Sequence, residues 1–146
     1  MALSICPTLI GRVFTMSSPG LAPATLTLAE AFATDPRFEI LAPDPARRAK
    51  LGAPMMSILV AYGMRYGTVW STDDASAVAI WLQPESGPMS MPRMLRVGMW
   101  RAPFILGLDG MGRMSKAMSA TEAFHKQVEG PHWYLMTVGT RTARQG

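Results

Sequence analysis

With 146 residues, 49% of them hydrophobic and 16% charged, the chain has enough apolar material for one domain with a core and too little charge for a disordered one. Its formal charge is +4 and its pI lies near 9.7, an excess that favours phosphate-bearing partners in a general way and names none. Cys6 is the single cysteine, which excludes an intramolecular disulfide and a cysteine-based zinc site and fits a reducing, cytoplasmic setting.

No run of about 18 apolar residues is present, which argues against a membrane-spanning helix. The opening MALSICPTLIGRVFTMSSPG joins a short apolar run to small residues, yet a secretory leader carries its basic residue ahead of that run, and Arg12 sits inside it. Export is therefore disfavoured. Met16 is an alternative start, and residues 1–24 are read as a variable N-terminal segment. From Thr25 the spacing of Leu28, Ala31 and Phe32 predicts a short helix with Thr25 or Thr27 as N-cap and TDPRF as its stop. Leu51, Met55, Ile58, Leu59, Tyr62 and Tyr66 then form a sustained apolar helix face closed by Gly67, with Pro54 expected to kink the helix or mark a second start.

The runs TVWST and SAVAIWLQP, separated by Asp73 and Asp74, read as an antiparallel hairpin over residues 68–83. A loop from Pro84 to Pro92 follows, then short amphipathic helices broken at Pro103, Gly107, Gly110 and Gly112. Met91, Met94, Leu95 and Met99 share one predicted helix face, and Arg93, Arg96 and Trp100 another. A last helix, roughly Met114 to Val128, is expected to turn Met114, Ala117, Met118, Thr121, Phe124 and Val128 inward, before HWYLMTV forms a strand near 132–139. No internal repeat is visible.

Few side chains offer chemistry by pattern alone. His125 and His132 have no cysteine nearby, so they read as loop or surface histidines and no metal site is expected. Glu122, Glu129 and Tyr134 could serve as acid or base, but a helix-face carboxylate is far more often solvated than catalytic, and the catalytic residues stay unassigned. Arg93, Arg96, Arg101 and Arg113 around Trp100 could make a membrane-surface or nucleic-acid patch. The neighbouring methionines fit a core face, which favours structural helices with a solvated arginine face and neither of those partners.

Three stretches, AEAFATDPRFEILAPDPARR, VAIWLQP and GPHWYLMTVGTRTARQG, resemble the GNAT superfamily of acetyl-CoA-dependent N-acetyltransferases, in the branch with an extra helical stretch before the central strand. The resemblance runs from about Thr25 to Gly146. It implies an α/β fold, a mixed α+β sheet of the GNAT acyl-CoA N-acyltransferase type, with residues 25–146 as the domain and its C-terminal part truncated. In that family a His-Trp-Tyr-Leu strand leads to Gln/Arg-x-x-Gly-x-Gly/Ala, so Gln145 would open the motif and Gly146 would follow it. Backbone N–H groups of such a loop, at a helix N-terminus, hold the acetyl-CoA pyrophosphate, and the backbone of Val138, Gly139 and Thr140 would meet the pantetheine arm. Thr142 stands where the family usually has Pro, and Arg141 where an acidic residue is frequent.

The implied reaction is acetyl transfer from acetyl-CoA to a primary amine on a small molecule or protein, with the family's thiolate-protonating tyrosine falling beyond Gly146. With the Gly-rich motif incomplete, the chain is expected to be inactive as it stands. The competing class is a non-enzymatic remnant or interaction module that pairs, or self-associates, through an exposed C-terminal strand.

Overall fold

The computed structural model describes residues 13–15, 21–87, 89–125 and 127–145. Its strands are β1 (Val13–Thr15), β2 (Thr68–Thr72), β3 (Ala77–Leu82) and β4 (Tyr134–Thr140), and its helices are α1 (Leu21–Ala31), α2 (Pro36–Leu41), α3 (Pro45–Tyr66), α4 (Met91–Arg96) and α5 (Ala102–His125). The strands form one sheet in the order β1-β2-β3-β4, each neighbouring pair antiparallel. The fold is thus mixed α and β, with the expected hairpin and with β4 beside β3, as the strand near 132–139 was expected to lie beside Ala77 to Leu82.

Two helix starts follow one local rule. Asp35 accepts a hydrogen bond from the Arg37 N–H at the head of α2, and Asp44 does the same for Ala46 at the head of α3, each with a proline at the first helical position. TDPRF therefore opens a helix where only a stop was expected. α1 begins at Leu21, so Thr25 and Thr27 lie inside it, both buried, and neither is its N-cap. Thr27 instead donates to the Ala75 carbonyl in the β2–β3 turn. α3 passes through Pro54 without a second start.

α3 is buried on two sides. Leu51, Met55, Ile58 and Tyr62 face a core shared with α4, α5 and Leu82, as their spacing predicts. Met56 and Val60 face a second core against α1 and the inner sheet face, with Val69, Val78 and Ile80. Gly63 makes this approach feasible: a Cβ there would lie 2.4 Å from Ile80 Cγ2 and 2.9 Å from Val69 Cγ2. Sheet and helix can meet this closely only where the side chain is missing.

The region after β3 departs from its predicted pattern. Of the expected Met91, Met94, Leu95 and Met99 face, Met94 and Met99 are buried while Met91 and Leu95 are exposed, because α4 has only six residues and Met99 lies in a following 3₁₀ turn. α5 breaks at Gly107 alone (φ 70°, ψ 174°) and runs on through Gly110 and Gly112. Nor do the arginines form one solvated face. Arg93 donates to the Ser86 carbonyl and lies over the Tyr66 ring, and Arg113 Nη2 donates to the Leu41 carbonyl at 3.1 Å, tying α5 to α2. Arg96 and Arg101 are exposed.

Candidate functional site

Two features converge on β4. The first is its backbone edge, since β4 ends the strand order. The Arg141 N–H donates to the Ser76 carbonyl at 2.8 Å, and an antiparallel strand alternates the side to which its backbone groups point. Gly139 therefore turns its N–H and C=O toward β3, while Val138 and Thr140 turn theirs to the open side. Of the residues implied for pantetheine contact, Val138 and Thr140 have the required orientation and Gly139 does not. A Cβ on Gly139 would lie 2.9 Å from Ala31 Cβ and 3.0 Å from Leu28 Cδ2, so this glycine serves the seating of α1 on β4.

The turn after β4 is tied back to the fold. Gln145 Nε2 donates to the Thr140 carbonyl at 2.7 Å, bringing two predicted cofactor residues together. Arg141 Nε donates to Thr27 Oγ1 at 3.0 Å, and the Thr142 N–H donates to Glu30 Oε1 at 2.9 Å. Arg141 and Thr142, the two departures from the family pattern, thus clamp the end of β4 to α1. Gly146 lies outside the described residues. The backbone groups of Val138 face the side away from β3, whereas the Thr140 carbonyl and Thr142 N–H have partners within the chain.

The second feature is a cavity of about 730 Å³ at the other end of β4, bounded by α4, α5, the segment after β3 and the residues before β4. Its apolar wall is formed chiefly by Met89, Met91, Met94, Met111, Met114 and Met118, and its polar groups include Ser115, Ser119, Glu122, His125, His132 and Tyr134. α5 supplies Met111, Met114, Ser115, Met118, Ser119, Glu122 and His125, a stripe at helical spacing. This corrects the inward face expected of the last helix: Met114 is buried, but Ala117, Met118, Thr121, Phe124 and Val128 are exposed. Beyond Met114 the helix leaves the core and borders the cavity, so its apolar residues meet solvent or cavity rather than packed side chains.

At the rim His125, the last residue of α5, and His132, in the loop before β4, come together, a pairing that their reading as loop or surface histidines did not include. Their Nε2 atoms lie 2.8 Å apart, and His132 Nδ1 lies 2.9 Å from the Gly130 carbonyl. A carbonyl only accepts, so His132 Nδ1 carries the proton, its Nε2 accepts, and His125 Nε2 donates. The neutral pair therefore keeps its remaining lone pair on His125 Nδ1. The His125 ring stacks on Tyr134 with centroids 4.7 Å apart and planes 13° from parallel, which fixes the orientation of that lone pair. Of the three acid or base candidates, Glu122 and Tyr134 line the cavity and Glu129 does not. The α5 stripe, read at 111, 115, 118, 122 and 125, was the available signal; the His125–His132 pairing had none, because it depends on how the turn through Gly130 folds back.

Among the described residues no group of three or more His, Cys, Asp or Glu side chains is placed to hold a metal ion, and no helix is long and apolar enough to cross a membrane. No protein-family model matches the chain. Its sequence is similar to that of a Schizosaccharomyces pombe protein named as an uncharacterized N-acetyltransferase, with 28% identity over 132 residues. The match covers 84% of this chain and 53% of that protein, so the chain spans about half the length of the curated relative it matches. The mixed α and β fold is compatible with this distant likeness.

Proposed function

We propose that the chain carries the amine-acceptor side of an acetyl-CoA-dependent N-acetyltransferase, with β4 as the strand shared between donor and acceptor. The observation that carries this reading is the likeness to an N-acetyltransferase over 84% of the chain, in a fold whose β4 has an outward backbone edge at one end and a cavity with a histidine pair at the other. Acetyl-CoA would supply an activated acetyl thioester. The Val138 backbone would hold the amide-bearing arm, and Gln145 with Gly146 would begin the phosphate-binding loop.

An amine enters at neutral pH as an ammonium and cannot attack until it loses a proton. In this reading His125 Nδ1 takes it: an N–H bond of the ammonium breaks, the imidazole becomes imidazolium, and the freed nitrogen lone pair forms the new C–N bond as the C–S bond breaks. The thiolate that leaves takes up the second N–H proton, which the nitrogen sheds as the neutral amide forms. His132 and Tyr134 position the His125 ring through the Nε2 hydrogen bond and the stack.

The test measures thiol release from acetyl-CoA by this chain fused after Gly146 to a Gly-rich loop and helix of the N-acetyltransferase type. We expect amine-dependent release that falls by at least about a hundredfold in His125→Gln, the lower end of the usual range for loss of a general base. A fusion that binds acetyl-CoA yet turns over no primary amine overturns the reading. The 146 residues by themselves are expected to bind acetyl-CoA weakly, and low-micromolar affinity by calorimetry would show that the arm is held elsewhere.

A second reading, an interaction module pairing through β4, draws on the position of β4 at the end of the strand order and on the exposure of Leu135 and Val138.

A further inference from the structure

Residues 91–108, which run from α4 through the 3₁₀ turn into the first part of α5, contain no Asp, Glu, Asn, Gln, Ser or Thr; apart from Arg93, Arg96 and Arg101 every residue is apolar or glycine. One side of the stretch packs inward, placing Met94, Met99, Ala102 and Leu106 in the core shared with α3. The opposite side is apolar as well. Met91, Leu95 and Trp100 are exposed, and Phe104 and Leu108, on either side of the break at Gly107, are 85% and 87% exposed. A helical segment that is apolar all round belongs where both sides are covered, and large apolar side chains gathered at a surface mark a contact site.

The charges on this side choose among the possible covers. Arg96 and Arg101 are exposed around Trp100, and neither is in an ion pair among the described residues. Arg47 of α3 donates to the Leu106 carbonyl at 2.6 Å and so brings a further guanidinium to the break at Gly107. The nearest carboxylates along the chain, Glu85 and Asp109, lie outside the stretch, beyond its two ends. Nucleic acid phosphates would satisfy the arginines and leave Phe104 and Leu108 in water. An anionic lipid surface satisfies both: its headgroups meet the guanidinium groups, the hydrocarbon just beneath takes the large side chains, and tryptophan favours the boundary between them.

We propose that the outer side of residues 91–108 rests on anionic membrane surfaces, with Trp100, Phe104 and Leu108 entering the acyl boundary and Arg96 and Arg101 pairing with lipid headgroups. This is contact with one leaflet, not passage across it, since no helix among the described residues is long and apolar enough to cross a membrane. It is independent of the transferase reading and stands whether or not the chain transfers an acetyl group.

The test mixes the 146-residue chain with vesicles of phosphatidylcholine alone, or of phosphatidylcholine with phosphatidylserine, and measures the fraction that sediments with lipid. We expect binding to the anionic vesicles at least about tenfold tighter than to the neutral ones, and weakening as salt rises. Arg96→Gln with Arg101→Gln should abolish that preference, a loss of about tenfold or more on anionic vesicles. Phe104→Ser with Leu108→Ser should weaken binding at least about tenfold, and because both side chains are exposed the thermal midpoint should stay in place. Lipids brominated in the acyl chain should quench tryptophan emission of the bound chain, and Trp100→Phe should remove most of that quenching. Leu135→Thr with Val138→Thr, on the outer sheet face, should leave vesicle binding unchanged. No binding to anionic vesicles, equal binding to both kinds, quenching that survives Trp100→Phe, or a loss of binding caused by the sheet-face pair instead would each overturn the proposal. So would a chain that ignores vesicles but binds single-stranded RNA, or one whose self-association disappears in Phe104→Ser with Leu108→Ser, since the cover would then be nucleic acid or a second copy.

Discussion

The two faces of the sheet are built from similar residues and meet opposite fates. On the inner face Val69, Val78, Ile80 and Leu82 are 4% exposed or less, covered by α1, α3 and their neighbours. On the outer face Trp70, Leu135 and Val138 are 40%, 39% and 53% exposed, and Trp70, Trp81 and Trp133 border a shallow hollow. A sheet with one wet face normally alternates apolar and polar side chains, whereas β3, with the sequence AVAIWL, is apolar throughout, like a strand covered on both sides. Composition therefore does not distinguish the faces; the helices do, by covering one of them.

The comparison breaks most directly at Ile80, which is fully buried between α3 and its neighbouring strands. Ile80→Ala should destabilise the fold by about 2–5 kcal/mol, the usual range for a core isoleucine truncation. A shift in the urea midpoint at unchanged slope would measure it, and a neutral result would mean that the inner face is not the packed one.

The outer face should answer differently. Leu135→Thr with Val138→Thr keeps two β-compatible side chains and should change stability by no more than about 0.5 kcal/mol each. The same pair should reduce self-association of the chain in light scattering, because the unaltered face and the β4 edge present apolar surface and backbone groups to a second copy. A sharp monomer before substitution would remove this contrast and, with it, the interaction-module reading.

The smallest effect is expected at the turn joining β2 and β3, which is held by polar contacts rather than by either face. Asp74 accepts hydrogen bonds from the Ser76 N–H (3.0 Å) and the Thr72 hydroxyl (2.9 Å). Its side-chain and backbone hydrogen bonds to Ser76, then that to Thr72, hold its carboxyl down from the ordinary 3.8 to about 2. A carboxyl depressed on folding contributes stability that is complete above its unfolded value and is lost as pH falls through its folded value. Asp74→Asn should thus slightly weaken protection of the hairpin amides at neutral pH, with variant and parent converging as the pH drops below 3.8 toward 2. Hydrogen exchange across residues 72–77 reads this, and parallel profiles throughout would show that the carboxylate does not hold the turn.

Much of the scaffold was legible. The hairpin was marked by two β-rich runs around Asp73 and Asp74, and one face of α3 by the spacing of Leu51, Met55, Ile58 and Tyr62. The second buried face of α3 was missed because Met56 and Val60 acquire their burial only when the sheet lies against them; periodicity shows one apolar stripe most clearly in a helix covered on one side. α2 was missed because Asp-Pro was weighed as a breaker, although the same pair supplies an N-cap and a first-turn proline. At the predicted cofactor strand, the sequence pointed to Val138, Gly139 and Thr140 as a unit, and strand alternation divided them.

By itself, then, the sequence determined the local elements: caps at Asp35 and Asp44, the turn at Asp74, the period of α3, the apolar run of β3. These depend on side chains within a few residues of one another, whose geometry is set by the backbone they share. Tertiary structure alone decided which apolar face is covered, that Arg141 clamps α1 rather than facing solvent, and that His125 and His132 meet beside Glu122 and Tyr134. The cavity is formed by segments from α4, α5 and both ends of the chain path between β3 and β4, and its chemistry arises only when packing brings side chains from separate elements to hydrogen-bond distance.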